Sequence, residues 1–146
     1  MDSNIIQQNY QIIKNKINTY QKQTKITIIA VTKTHPQKVV QDAYKEHITE
    51  FGENKVQEAK KKFENLKFRN KIKLHLIGHL QTNKTKKAVE LFDVIQTVDS
   101  LKIAEKINIE AQRIKKKQKI FVQINISNDK NKFGFLKNEA EKNINK

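Results

Sequence analysis

The sequence predicts an α/β protein built on a parallel sheet, and two features carry that expectation. Short β-branched apolar runs alternate with longer stretches whose apolar residues fall at helical spacing. The strand-plus-helix unit recurs about every 22 to 25 residues, which accommodates a parallel crossover. No sequence repeat accompanies that period, so what recurs is architecture and not a solenoid motif.

The chain opens on a helix over residues 4–23, where Ile5, Ile6, Tyr10, Ile12, Ile13, Ile17 and Tyr20 lie close to helical spacing. Residues 26–31, Ile-Thr-Ile-Ile-Ala-Val, read as a buried first strand. Thr34-His35-Pro36 then opens a helix to about His47, with Pro36 suited to a first turn that needs no amide donor. Residues 49–52 form the second strand and 54–65 the next helix. Residues 74–77 form the third strand, ended by Gly78, and 82–92 a helix capped by Thr82 or Asn83. Val94–Val98 is the fourth strand. Asp99-Ser100 caps a helix from Leu101 to about Lys117. A fifth strand over 120–126 and a helix over 136–144 complete the pattern. A leading helix thus precedes five strand–helix units. Periodicity alone leaves a doubly wound sheet and a β/α barrel open.

Composition removes several function classes. With no cysteine there is no disulfide framework, thiolate zinc site or cysteine nucleophile. No apolar run reaches the length of a bilayer span, and the N-terminus lacks the apolar core of a secretory signal, so a cytoplasmic protein off the membrane is expected. The net charge of +15 invites a nucleic-acid reading. Against it, 28 of the 30 basic residues are Lys, and only Arg69 and Arg113 offer the fork that reads phosphate and base edges. Ile and Asn are inflated alongside Lys, and all three have A/T-rich codons, so coding bias is the simpler account. The clusters Lys60-Lys61-Lys62 and Lys115-Lys116-Lys117 read as solvated helix faces.

In parallel α/β folds, chemistry gathers at the carboxyl ends of strands. Lys33 stands after the first strand, where burial would favour the neutral amine that imine formation requires. A lysine reaching solvent from a loop is the plainer alternative. After the second strand come Gly52, allowing a sharp turn, and Asn54, which caps a helix or donates to a ligand. Glu58 follows on the same helix face as Asn54. After the third strand, His75 reads first as a packed histidine, while His79, Gln81 and Asn83 form a polar cluster before a helix. No histidine pair has metal-ligand spacing with an acidic partner. Gln123 and Asn125 alternate with apolar residues, as in a polar-lined pocket or a layer of structural amides.

Five segments in this order resemble the pyridoxal phosphate homeostasis protein family. They are Ala30-Val31-Thr32-Lys33-Thr34, then Phe51-Gly52-Glu53-Asn54 with Gln57-Glu58, then the ten residues from His75 to Lys84, then Val98-Asp99-Ser100, and Gln123-Ile124-Asn125-Ile126-Ser127 through Lys132 and Gly134. The resemblance implies a TIM-like β/α barrel akin to the alanine racemase N-terminal domain. It implies pyridoxal 5′-phosphate (PLP) held as an aldimine of Lys33, with Asn54, His75 and Lys84 as further cofactor-binding positions. It implies a role in vitamin B6 balance as a carrier without substrate turnover, and so no enzyme. A full barrel needs eight units and about 250 residues, whereas this chain supplies about five. A C-terminally truncated barrel is therefore expected, lacking the phosphate-binding loops and the Arg near the pyridine nitrogen, with weakened PLP affinity. An exposed edge at Val94–Val98 or at residues 120–126 would then favour self-association. The competing readings are a non-functional or split remnant, a basic nucleic-acid-associated protein, and a racemase-like enzyme.

Overall fold

The computed structural model describes residues 3–20 and 26–144. Its strands are β1 (Ala30–Val31), β2 (Glu50–Glu53), β3 (Lys73–Leu76), β4 (Val94–Val98) and β5 (Lys119–Val122). They form one parallel sheet in which each strand lies beside its neighbour in the chain. A doubly wound sheet reverses its order at a switch point. This one does not, so the five strands run as an arc of barrel wall. A second, two-stranded parallel pair joins β6 (Ile124–Asn125) to β7 (Phe135–Leu136).

The helices are α1 (Ser3–Tyr20), α2 (Gln37–Lys45), α3 (Val56–Phe63), α4 (Thr85–Leu91), α5 (Leu101–Arg113) and α6 (Lys137–Ile144). Strand alternation sorts the sheet into two faces. Phe51, Leu74, Leu76 and Ile95 lie on the helix side and are fully buried, in one core with Phe63 and Phe92. Burying each of these side chains stabilises the fold by about 1.5–3 kcal/mol. The opposite face carries the in-register row Val31, Gly52, His75 and Val94. It is open at one edge, where Val31 remains 47% exposed.

Several expectations are corrected. The first strand pairs only through Ala30 and Val31 and is half-exposed, because β1 is an edge with a neighbour on one side only. Val94–Val98 is not an edge: β4 lies between β3 and β5. The free edges among the described residues are β1 and β5, and all four β5 residues are exposed. The fifth run breaks at Gln123, whose amide bonds to Val98 while its carbonyl accepts from Phe135, turning the chain toward β7. Pro36 is the N-cap of α2, one residue before the first turn. A 3₁₀ turn, Thr82–Lys84, precedes α4, and Thr85 Oγ1 donates to the Thr82 carbonyl, so neither Thr82 nor Asn83 is a side-chain cap. Ser100 does cap α5, accepting from the Ile103 amide. That helix ends at Arg113, short of the lysine cluster. The expected first helix extends past the described residues at 21–23.

The lysine clusters are not wholly solvated. Lys62 is 6% exposed and lies inside the protein. Lys116 is half-buried and donates to the Val89 and Phe92 carbonyls at 2.6 and 2.7 Å, closing the C-terminus of α4. Burial pushes its ammonium below the usual lysine range. No helix among the described residues is long and apolar enough to cross a membrane.

Candidate functional site

The carboxyl ends of β1 and β2 are joined by a buried charged network that sequence reading does not anticipate. Thr32 and Glu53 stand on the helix side of the sheet, 3% and 0% exposed. Lys62 reaches them from α3, donating to the Thr32 carbonyl at 2.6 Å and to Glu53 Oε1 at 2.7 Å. The Thr32 hydroxyl donates to that same oxygen at 2.7 Å. Glu53 Oε2 is buried with no hydrogen-bond partner among the described residues. Lys62 also pairs with Glu58 at 3.2 Å, and Glu58 accepts from the Thr34 amide at 2.6 Å. That amide bond, joined by the Lys62 contact, outweighs partial burial and holds the Glu58 carboxyl below its usual range. A sequence signal existed: Val56, Ala59 and Lys62 repeat at a spacing of three, so Lys62 shares the buried stripe of α3.

Lys33 sits between the two residues this network holds. Its side chain is exposed, in line with the plainer alternative of a lysine reaching solvent from a loop. Its amine has no hydrogen-bond partner among the described residues. The next residue, Thr34, has φ 65°, a left-handed conformation that a β-branched residue adopts only under constraint. Lys33 and Asn54 each lie two residues beyond the registered pair Val31 and Gly52.

Asn54 does not cap α3. The N-cap is Lys55, without a side-chain bond, and the Asn54 carboxamide has no partner among the described residues. Gly52 is a strand residue with no left-handed φ, corrected from a turn. Its lack of a side chain leaves room for Ile29 and Ile77. Gly78 does more for the site: a Cβ there would lie 2.8 Å from Asn54 Cα, so the bare backbone lets the loop after β3 seat against Asn54. The Thr97 hydroxyl bonds the Gly78 carbonyl at 2.7 Å and holds that contact.

Asn54, His79, Gln81 and Lys84 share the lining of a pocket of about 370 Å³ at the carboxyl ends of β2 and β3. Asn54 and Lys84, expected from sequence, are thus brought together. His79 is held there by Asp99 at 2.9 Å and by stacking on Phe133, centroids 3.6 Å apart. His75 is not part of this lining. It is buried in the sheet between Glu50 Oε2 at 2.7 Å and the Gln96 amide at 3.0 Å, so both ring nitrogens are engaged. Glu50 is partly buried, which raises its carboxyl, but His75 and Lys73 outweigh that and hold it below its usual range. Gln123 and Asn125 are structural amides, bonding the carbonyls of Phe133, Asp129 and Lys132. No group of three His, Cys, Asp or Glu residues able to hold a metal exists among the described residues.

A parallel sheet in chain order, with the helices on one side, defines the β/α-barrel class, in which sites gather at the carboxyl ends of the strands. More particularly, the chain belongs to the alanine racemase N-terminal domain family, which it matches over residues 1–146. It is 39% identical over 140 residues to a pyridoxal phosphate homeostasis protein of Pasteurella multocida (strain Pm70), covering 92% of this chain and 60% of that one. The protein of the same name from Haemophilus influenzae is 37% identical over 140 residues, with 92% and 59% covered. The solved structure of PipY from Synechococcus elongatus PCC7942 with PLP bound superposes with a TM-score of 0.85 at 31% identity, covering 96% of this chain and 62% of that one. An alanine racemase of Clostridium difficile, 19% identical with a TM-score of 0.70 and covering 94% of this chain and 36% of that one, shares the fold. The chain spans about three-fifths of the length of these homeostasis proteins.

Proposed function

We propose that this chain is a cytoplasmic carrier of pyridoxal 5′-phosphate, holding it reversibly on Lys33 and turning over no substrate. The observation that carries the reading is Lys33 itself: an accessible primary amine without a partner among the described residues, on a tightly held loop at the carboxyl end of β1. The residues present fit an aldehyde-bearing anion. Lys33, which is not among the residues lining the pocket, supplies the amine; on the pocket itself the uncommitted Asn54 carboxamide supplies a hydrogen-bonding group and Lys84 a cation. As cargo, PLP contributes its aldehyde. An unprotonated Nζ would add to the aldehyde carbon, so that C=N replaces C=O and the oxygen leaves as water with the two amine hydrogens. Hydrolysis reverses the step and frees both partners. The homeostasis proteins above and PLP-bound PipY support this reading.

Turnover would need a proton-transfer group free to act on bound ligand. His75 is engaged at both nitrogens, and His79 is tied to Asp99 and Phe133. The double engagement of His75 removes it as a proton-transfer group, whereas His79 is held through Nδ1 alone. Both arginines are also engaged, Arg69 with Asp93 and the Leu91 carbonyl and Arg113 with Glu90 and Glu110, which weakens the case for nucleic acid. Titration with PLP should produce the absorbance band of a protonated imine, and Lys33→Ala should abolish it. A band of equal strength in Lys33→Ala would refute the assignment, and racemisation of alanine by the loaded chain would refute the carrier role.

A further inference from the structure

We propose that Lys62 is a positioning residue: its buried amine, with Glu53 and Glu58, clamps the Thr32–Thr34 turn and so fixes where Lys33 is presented. The inference rests on the proposed role of Lys33 in binding PLP. No motif in the resemblance includes Lys62, and only its place on the Val56–Ala59–Lys62 stripe of α3 marks it as internal.

The geometry is specific to that turn. Lys62 is joined to three groups: the Thr32 carbonyl at 2.6 Å, Glu53 Oε1 at 2.7 Å and Glu58 Oε1 at 3.2 Å. Thr32 immediately precedes Lys33. Glu58 holds the residue that immediately follows it, through the Thr34 amide at 2.6 Å. The clamp therefore grips both flanks of Lys33 and leaves its side chain free. Thr34 is also the strained residue, with φ 65°. A left-handed β-branched residue persists only where its surroundings over-determine it, and here those surroundings include the Glu58 carboxylate and the Thr32 carbonyl, which accepts from His35 at 3.1 Å. A buried Lys–Glu pair is a poor source of net stability compared with apolar packing. Its placement beneath one loop is explained by what it orders there.

Two measurements test this, both on the full chain. The first is amide exchange of Thr34 and His35 without PLP, with Leu74 and Leu76 as core reference. The second is reduction with borohydride after incubation with PLP, followed by mapping of which lysines carry the adduct. In the wild type, the adduct should concentrate on Lys33. Lys62→Met should speed Thr34 exchange about tenfold while the core amides stay protected. It should also lower the Lys33 share of adduct about tenfold through misplacement of the amine. Glu58→Gln, at a partly exposed position, should move both readouts the same way by roughly threefold, and it decides the matter if Lys62→Met fails to protect its core amides. Unchanged Thr34 exchange and an unchanged Lys33 share in a folded variant would overturn the inference and leave the carrier reading intact. A wild type with no preference for Lys33 would overturn the carrier reading and, with it, the inference's link to presentation, while the exchange arm still decides whether Lys62 orders the turn.

Discussion

At Gly78 a single hydrogen atom decides whether the loops after β2 and β3 can touch. The backbone of Asn54 occupies the space a side chain would need, and backbone cannot yield as a flexible side chain can. Gly78→Ala should therefore destabilise the fold by about 1–3 kcal/mol through overpacking. The melting temperature should fall by about 2–4 °C for each kcal/mol lost, and PLP binding should weaken because Asn54 is displaced. An unchanged melting temperature would show that the loop relaxes at no cost. Residue identity alone located Lys33 and Asn54 as candidates, since both sit in recognisable strand-end segments. It left their surroundings open between two alternatives each. Lys33 reaches solvent, the plainer of its two alternatives, and Asn54 leaves its helix uncapped. Both outcomes depend on neighbours distant in sequence, which local spacing does not report.

Among the elements, the join of β1 to α2 carries the acid sensitivity of the site. The Thr34 amide and Lys62 hold Glu58 below its ordinary value, and His75 and Lys73 do the same for Glu50 against its burial. A carboxylate whose folded pKa is depressed contributes stability that is fully present above the unfolded value. That contribution is lost as pH falls through the folded value. Thermal unfolding should accordingly lose stability as pH drops below about 4.3, the ordinary glutamate value. Glu58→Gln should flatten part of that decline, and a parallel decline in the variant would show that Glu58 does not contribute. Element existence was largely legible: five strands and the helices between them follow from apolar periodicity, and β4 matches its expected bounds at both ends. Element ends were less so. β1 shortens to two residues and the fifth run breaks at Gln123, because strand length is set by available partners as well as by β-branched content.

At the scale of the whole molecule, β1 and β5 are the open edges of the sheet among the described residues. Edge strands present unpaired amides and carbonyls, and natural proteins usually blunt or cover them. Here β5 exposes Ile120, Phe121 and Val122, with Ile124 and Ile126 exposed just beyond. The chain should self-associate as concentration rises, measurable by sedimentation velocity. Phe121→Lys should shift it toward monomer, and a wild-type chain that stays monomeric at high concentration would contradict the expectation. The sequence sufficed for the α/β class, the order of the strand–helix units and the candidate lysine. These depend on local periodicity and on short segments whose residues lie next to one another in the chain. Periodicity left a barrel arc and a doubly wound sheet open and the segment resemblance implied the barrel; the folded structure was needed to name the edges and to turn Lys62 from an apparent surface charge into the buried group beneath Lys33. Strand order and burial are set by contacts between segments far apart in the chain, and no local pattern of residues encodes them one segment at a time.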